Sequence, residues 1–365
     1  MRGPAGGRPT ALLVGEHVDY VWQLPPLLAS AGYDVDLLTR PSDFFRDNPY
    51  LREAMRVPQG ERLFDSAVEL TRACPYDWVI VVDNRTLRDI ALRIDIAVED
   101  RLRLAPVTSS DQFGHLSSKV GLARRLAAAG LPAPRSVVAF GVDEAKSAAA
   151  ELGFPAVVKL DASAAGNGLV LARSDADVDA AGGLLDGQRL LVEEFLPGRE
   201  WSIAALFRDA VLLSVLIMQP LMRQRFGGEW QVVRAVPSRA YPEVVAEVGA
   251  LGGLLGLDGF ANIAAREDAG GTRRYFEADA RPSVWSPRGA EVGDDPAAAL
   301  RRRLLGESTA VERPQDCGGP AEAADLVYFP RLTREDFLVN RSGVQAQVPW
   351  TDPEARRLLA ERGFR

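Results

Sequence analysis

Apolar residues follow two rhythms along the first hundred positions of this chain. TALLVGE (10–16), YDVDLLTR (33–40) and YDWVIVVDN (76–84) carry short, nearly continuous apolar runs, as strands covered on both faces do. Between them, YVWQLPPLLASAG (20–32) and RLFDSAVELTRAC (62–74) repeat apolar positions at helical spacing, and Gly32 closes the first of these helices. The alternation predicts a βαβ opening and a small doubly wound α/β domain over residues 10–105. A Gly-, Pro- and Arg-rich stretch precedes it, and residues 1–9 are expected to be disordered.

APVTSSDQFGHLSS (105–118) breaks the rhythm with proline, glycine and hydroxyl residues and marks a domain junction. Ser117 or Ser118 then caps a helix, KVGLARRLAAAG (119–130), which Gly130 and Pro132 stop. A strand at 135–140, a helix at 143–153 and strands at 155–160 and 168–173 predict an α+β lobe over residues 106–188. Ser174 and Asp177 form the capping box of a helix that follows. A second α+β lobe is expected over 189–310. It contains a buried strand at Leu190, Leu191 and Val192, strands at 201–207 and 211–217, a helix from Pro242 to Leu255, a hairpin turning at Gly270-Gly271, and a helix at 297–306. The remainder, 311–365, has strand character near LVYFP (326–330), a helix beginning at Asp352-Pro353, and no catalytic constellation.

Composition narrows the classes of function. With 47% hydrophobic and 25% charged residues, the 365-residue chain has material for two or three cored domains. A net charge of −7 opposes nucleic-acid binding, because the arginines are interleaved with acids and form no basic patch. Cys74 and Cys317 lack zinc-binding spacing and suit a reducing cytoplasm. The first apolar run is too short for a signal peptide, and no stretch approaches a membrane span. Gly15 and Glu16 follow the first strand without a GxGxxG fingerprint, which disfavours a nicotinamide enzyme.

Three stretches carry candidate chemistry. FPAVVKLDASAAGNG (154–168) ends an apolar strand on Lys159 and continues into a loop of small residues, Ser163, Ala165, Gly166 and Gly168 among them. That layout sets an ammonium and exposed backbone N–H groups beside one anion, most naturally phosphate. RLLVEEFLPGREW (189–201) runs a buried strand into Glu193, Glu194 and Leu196, a Pro-Gly turn and Glu200, like a hinge over which a flat base can lie. RRYFEADARP (273–282) delivers Glu277, Asp279 and Arg281 at alternate positions, hence to one face, where they need a metal ion and anionic groups to offset burial. At the carboxyl ends of the first domain's strands, Glu16, His17, Asp83, Asn84 and Arg85 either contact a substrate or cap helices.

In this order and spacing the three stretches resemble the ATP-grasp superfamily, of the carboxylate–amine (carboxylate–thiol) ligase type with an N-terminal pre-ATP-grasp domain. The resemblance covers roughly residues 105–305. It implies ATP and Mg2+ as cofactors, with Lys159 on the phosphates, the small loop above them and Lys119 at the α-phosphate. It sets Glu193, Glu194 and Leu196 at the adenine, largely through main-chain groups, and Glu200 on the ribose. Glu277 and Asp279 fall on metal-ligand positions, and Arg281 on the arginine that stabilises an acyl phosphate. Arg223, Arg225, Arg234 and Asn262 fall on the acceptor side of the cleft. Two departures stand out: Ser118 occupies an acidic position before Lys119, and Ala264 replaces an acidic or Gln metal ligand while Asp279 replaces Asn.

The activity so implied joins a small carboxylate, activated by phosphoryl transfer, to an amine. A ligase using bicarbonate or a thiol and a nucleotide-binding protein without catalysis are the alternatives. The partners are small molecules rather than nucleic acid or membrane, and self-association into a homodimer is compatible with this reading.

Overall fold

The computed structural model describes residues 7–16, 21, 23–41, 48–163, 166–223, 226–227, 230–307 and 322–327. His17, Cys317 and the helix expected at Asp352-Pro353 lie outside the described residues, as do positions 1–6 of the stretch read as disordered.

The N-terminal domain runs β1 (Thr10–Gly15), α1 (Leu24–Ala31), β2 (Asp34–Thr39), β3 (Leu51–Arg56), α2 (Leu63–Ala73), β4 (Trp78–Val81), α3 (Asn84–Leu92) and α4 (Val98–Leu104). Its four strands are parallel, in the order β3-β2-β1-β4. The continuous apolar run of β1 serves two faces: Leu12 and Val14 enter one core, Ala11 and Leu13 another. Glu16 and Asp83 therefore emerge at the carboxyl ends of adjacent strands. Asp83 caps α3, accepting from Thr86 N–H at 2.8 Å, and also receives the Glu16 N–H at 2.6 Å.

The next unit comprises α5 (Lys119–Ala128), β5 (Ser136–Phe140), α6 (Gly141–Leu152), β6 (Ala156–Leu160), β7 (Leu169–Ala172), α7 (Asp175–Ala180), α8 (Gly182–Leu185) and β8 (Arg189–Glu194). Its antiparallel sheet has the order β5-β8-β6-β7. This corrects the expected boundary at 188, because β8 hydrogen-bonds to β5 on one edge and β6 on the other and so is a central strand of the first lobe. The lobes part instead in the turn after Glu194.

The second lobe comprises β9 (Glu200–Arg208), β10 (Val211–Arg223), β11 (Trp230–Val236), α9 (Pro242–Leu255), β12 (Phe260–Glu267), β13 (Arg273–Asp279), α10 (Pro296–Leu304) and β14 (Ala324–Val327). The sheet order is β13-β12-β9-β10-β11-β14. One core joins Leu12 and Val81 of the first domain, Leu122 and Leu126 of α5, and Ile203, Val248 and Ile263 of this lobe. Trp78 stacks on Phe260 at 5.8 Å between ring centroids. The first lobe has a separate core around Ala139, Val158 and Val192. By packing, then, α5 goes with the N-terminal domain and second lobe rather than with the sheet that follows it in sequence. No helix among the described residues is long and apolar enough to cross a membrane.

The junction over 105–118 buries a histidine. His115 ends a 3-10 turn, is buried, and among the described residues has no hydrogen-bond partner for either ring nitrogen. Burial first and Arg125 second push its pKa down to about 4, against the pull of Asp111. In the unfolded chain the imidazole protonates near its ordinary value of about 6.5. The unfolded state therefore binds more protons between these values, and folding stability falls as pH drops through that window. We expect the His115 contribution to this loss to reach roughly 3 kcal/mol near pH 4. Urea unfolding of His115→Leu at pH 7 and pH 5 should show a shallower decline than wild type; equal declines would refute the assignment.

Candidate functional site

Strand alternation sends Ala156 and Val158 of β6 into the first lobe's core, and Val157 and Lys159 to the opposite face. β8 does the same, burying Leu190 and Val192 and turning Glu193 outward beside Lys159. Lys159 Nζ lies 2.5 Å from Glu193 Oε2, with both side chains only 5% exposed. Across the cleft, the Phe276 ring of β13 stands with its centroid 4.6 Å from the same ammonium. The Lys159 strand and the metal-candidate strand thus face each other.

Lys119 begins α5. Its Nζ donates to Ser163 O at 2.6 Å and to Ser163 Oγ at 3.2 Å, tying the helix to the small-residue loop. The helix start is held by Asp161, whose Oδ1 accepts from Val120 N–H and from Ser118 Oγ, each at 2.9 Å. A carboxylate at this N-terminus comes from Asp161 through space rather than from position 118. Ala164 and Ala165 lie outside the described residues. Gly166 and Gly168 have φ of +70° and +75°, and a Cβ on Gly168 would sit 2.4 Å from Leu160 Cδ1.

On the second lobe, Asn262 pairs in register with Asp279 and Ala264 with Glu277, while Ile263 and Ala278 turn into the core. Asn262, Ala264, Glu277 and Asp279 therefore share one face. Burial and then Asp279 push the Glu277 carboxyl up to about 7, against Lys119, Lys159 and Arg281. Lys119 is pushed down by burial and drawn back by Glu277 and Asp279. Each set of charges is placed to be felt by the other. Arg281 Nη2 lies 2.9 Å from Asp279 Oδ2, and its Nε donates to Asn84 Oδ1 at 2.5 Å.

At the hinge, Glu200 pairs with Arg266, its register partner on β12. Arg266 also reaches Leu196 O at 3.5 Å and stands 5.7 Å from the Phe195 ring centroid. Glu194 turns outward to Arg135, accepting from its backbone N–H at 2.9 Å and its Nε at 2.8 Å.

Of the arginines assigned to the acceptor side, Arg234 has a described side chain, and it is engaged near the far edge of the sheet. Arg234 is exposed on β11 and makes a two-point ion pair with Asp325 of β14, at 2.7 and 3.1 Å. Its strand is three places from β12 in the sheet, about 14 Å at ordinary strand spacing. Arg223 ends β10, and Arg225 lies outside the described residues. Charge gathers instead in the N-terminal domain, around a cavity of about 400 Å³ lined by Glu16, Arg40, Arg62, Arg85 and Asp89. Glu16 bridges Arg40 at 2.9 Å and Arg85 at 2.8 Å. Sequence reasoning missed the Glu193, Asp161, Arg266 and Arg40 side-chain partners, each of which depends on register or on a distant loop.

No family profile matches the chain. It is similar to the formate-dependent phosphoribosylglycinamide formyltransferase of Stutzerimonas stutzeri (strain A1501), 44% identical over 81 residues, 20% of this chain and 21% of that protein. The protein of the same name from Paraburkholderia xenovorans (strain LB400) is 27% identical over 299 residues, covering 72% of this chain and 73% of its own. The chain spans about a fifth of the length of the first curated relatives it matches. Among solved structures, L-amino acid ligase from Bacillus licheniformis aligns with a TM-score of 0.63 at 19% identity, over 88% of this chain and 80% of that one. N5-carboxyaminoimidazole synthetase from Staphylococcus aureus, complexed with ADP, aligns with a TM-score of 0.65 at 13% identity, over 94% and 87%. The chain has the ATP-grasp fold. Its particular form is a doubly wound pre-ATP-grasp domain followed by the two grasp lobes.

Proposed function

We propose that this protein is an ATP-dependent ligase that activates a small carboxylate as an acyl phosphate and joins it to an amine-bearing, amino acid-like acceptor. One observation carries the reading. Lys119, tied to Ser163, and Lys159, over the Phe276 ring of β13, stand on one side of the cleft, and the β13 end with Glu277, Asp279 and Arg281 stands on the other. Cations suited to phosphates face carboxylates suited to a cation. The names of the relatives, a formate-dependent formyltransferase and an L-amino acid ligase, support the carboxylate–amine class.

In this reading Lys119, Lys159 and the Ser163–Gly168 loop hold the phosphates. The main chain at Glu193, Glu194 and Leu196 borders the adenine, and Glu200, steadied by Arg266, takes the ribose. Glu277 and Asp279 form an all-oxygen donor pair, and no cluster of three or more His, Cys, Asp or Glu ligands occurs among the described residues. That set fits magnesium, which binds through one or two carboxylates plus substrate phosphates. When bound, the ion neutralises charge on the transferring phosphoryl group. The carboxylate oxygen of the substrate attacks the γ-phosphorus and the bond to ADP breaks. The amine nitrogen then attacks the acyl carbon, phosphate leaves, and the amine proton passes to solvent. Arg281 offsets the negative charge on the acyl phosphate and on the oxyanion of the second step. The acceptor enters from the crevice where Glu16, Arg40 and Arg85 meet, whose mixed charges suit a zwitterion. Cys74, exposed and unpaired, suits the cytoplasm that this proposal includes, together with a homodimer.

ADP and phosphate release across a panel of carboxylates and amines tests the proposal. Release that requires ATP, magnesium and one member of each panel is the expected result. ATP binding by calorimetry with no release from any pair would replace it with a nucleotide-binding protein without catalysis, the reading that Ala264 opposite Glu277 motivates.

A further inference from the structure

We propose that Asn84 is a positioning residue for Arg281, so that the N-terminal domain completes the phosphoryl-transfer site by fixing its guanidinium. The purpose assigned to the contact rests on the ligase reading above; the contact itself does not.

Arg281 lies two residues beyond the end of β13, where the sheet no longer dictates its direction. Three of its bonds set the plane of the guanidinium. Nη2 donates to Asp279 Oδ2 at 2.9 Å, Nη1 to Pro282 O at 3.2 Å, and Nε to Asn84 Oδ1 at 2.5 Å. The first two partners are local in sequence: Asp279 is the last residue of β13 and Pro282 directly follows Arg281. Asn84, 197 residues away in sequence, ties the side chain to the N-terminal domain.

That domain is well anchored. Asn84 is the first residue of α3, and Asp83 before it is held by Thr86 N–H at 2.8 Å, Thr86 Oγ1 at 3.3 Å and Glu16 N–H at 2.6 Å. The shared core and the Trp78–Phe260 stack lock this domain onto the second lobe. The residue type matters as well as the place. A carboxamide oxygen accepts the Nε–H without adding charge, leaving the guanidinium able to respond to a developing oxyanion. Because Asp83 supplies the helix cap, removing the Asn84 side chain leaves the start of α3 supported.

The test uses the full chain. In a 15N spectrum of arginine Nε–H groups, the signal missing from Arg281→Lys identifies Arg281. In wild type that proton should exchange slowly with solvent, and in Asn84→Ala the slow signal should be lost. Asn84→Ala should lower magnesium-dependent ATP turnover by roughly ten- to hundredfold, the worth of a hydrogen bond to a charged group, with ATP affinity by calorimetry unchanged. In an Arg281→Ala background, Asn84→Ala should cause no further loss, whereas a merely structural role would persist there. A protected Nε–H in Asn84→Ala, or a full additional loss in the Arg281→Ala background, overturns the proposal. A wild type with no turnover on any substrate overturns the ligase reading and the catalytic purpose given to the contact, while the Nε–H signal still decides whether the clamp exists.

Discussion

Lys159→Ala should weaken both nucleotide binding and the fold. The Lys159–Glu193 pair is 2.5 Å long and almost fully excluded from water. Deleting the lysine strands a buried carboxylate, a change that typically costs about 3–5 kcal/mol. ATP affinity should fall as well, by roughly ten- to hundredfold, if the ammonium also bonds phosphate. The two losses are separable. Lys159→Met with Glu193→Leu replaces the pair by apolar side chains of similar volume, so stability should return while the affinity loss remains. Urea unfolding and calorimetry read the two effects independently. Wild-type stability in Lys159→Ala would mean that the ion pair does not form, and wild-type ATP affinity in the double variant would remove Lys159 from the nucleotide site.

The same pair shows where sequence reasoning stopped. Apolar runs located β1, β4, β6 and β8, because a strand covered on both faces writes its burial into consecutive residues. β3 (Leu51–Arg56) escaped because most of its side chains are at least partly exposed and it joins the sheet through its backbone. α4 (Val98–Leu104) escaped because its seven residues include four charged ones. At the site, alternation along one strand was enough to put Glu277 and Asp279 on one face, while Lys159 stood out as the charged end of an apolar strand. The partners were hidden. Glu193 reaches Lys159 only through the diagonal register of β6 and β8, Asn84 reaches Arg281 across 197 positions, and Arg234 is claimed by Asp325 from a segment read as devoid of site function. Local pattern shows which face a residue occupies; only the assembled sheets show what waits on that face.

The register of β12 and β13 gives the metal-site question a form that mutation can answer. Ala264 lies opposite Glu277 and Asn262 opposite Asp279, so the carboxylate absent at 264 and the one present at 279 belong to the same cleft face. If charge has been relocated along that face, Asp279→Asn should lower magnesium-dependent ATP turnover by roughly ten- to hundredfold at limiting magnesium. Part of that loss should be recoverable with excess ion. Adding Ala264→Glu to Asp279→Asn returns a carboxylate about 5 Å from Glu277, the ordinary separation of directly opposed residues. The double variant should therefore regain part of the lost magnesium affinity. Ala264→Glu alone crowds a third carboxylate beside Glu277, whose proton burial and Asp279 already help to retain, so it should not improve on wild type. Turnover against magnesium concentration for all four proteins forms a double-mutant cycle with a favourable coupling as its expected outcome. Asp279 also holds Arg281 at 2.9 Å, and a change there lowers turnover at every magnesium concentration alike. A loss that magnesium does not relieve and Ala264→Glu does not repair would therefore assign Asp279 to the arginine rather than to the ion, and charge relocation would fail.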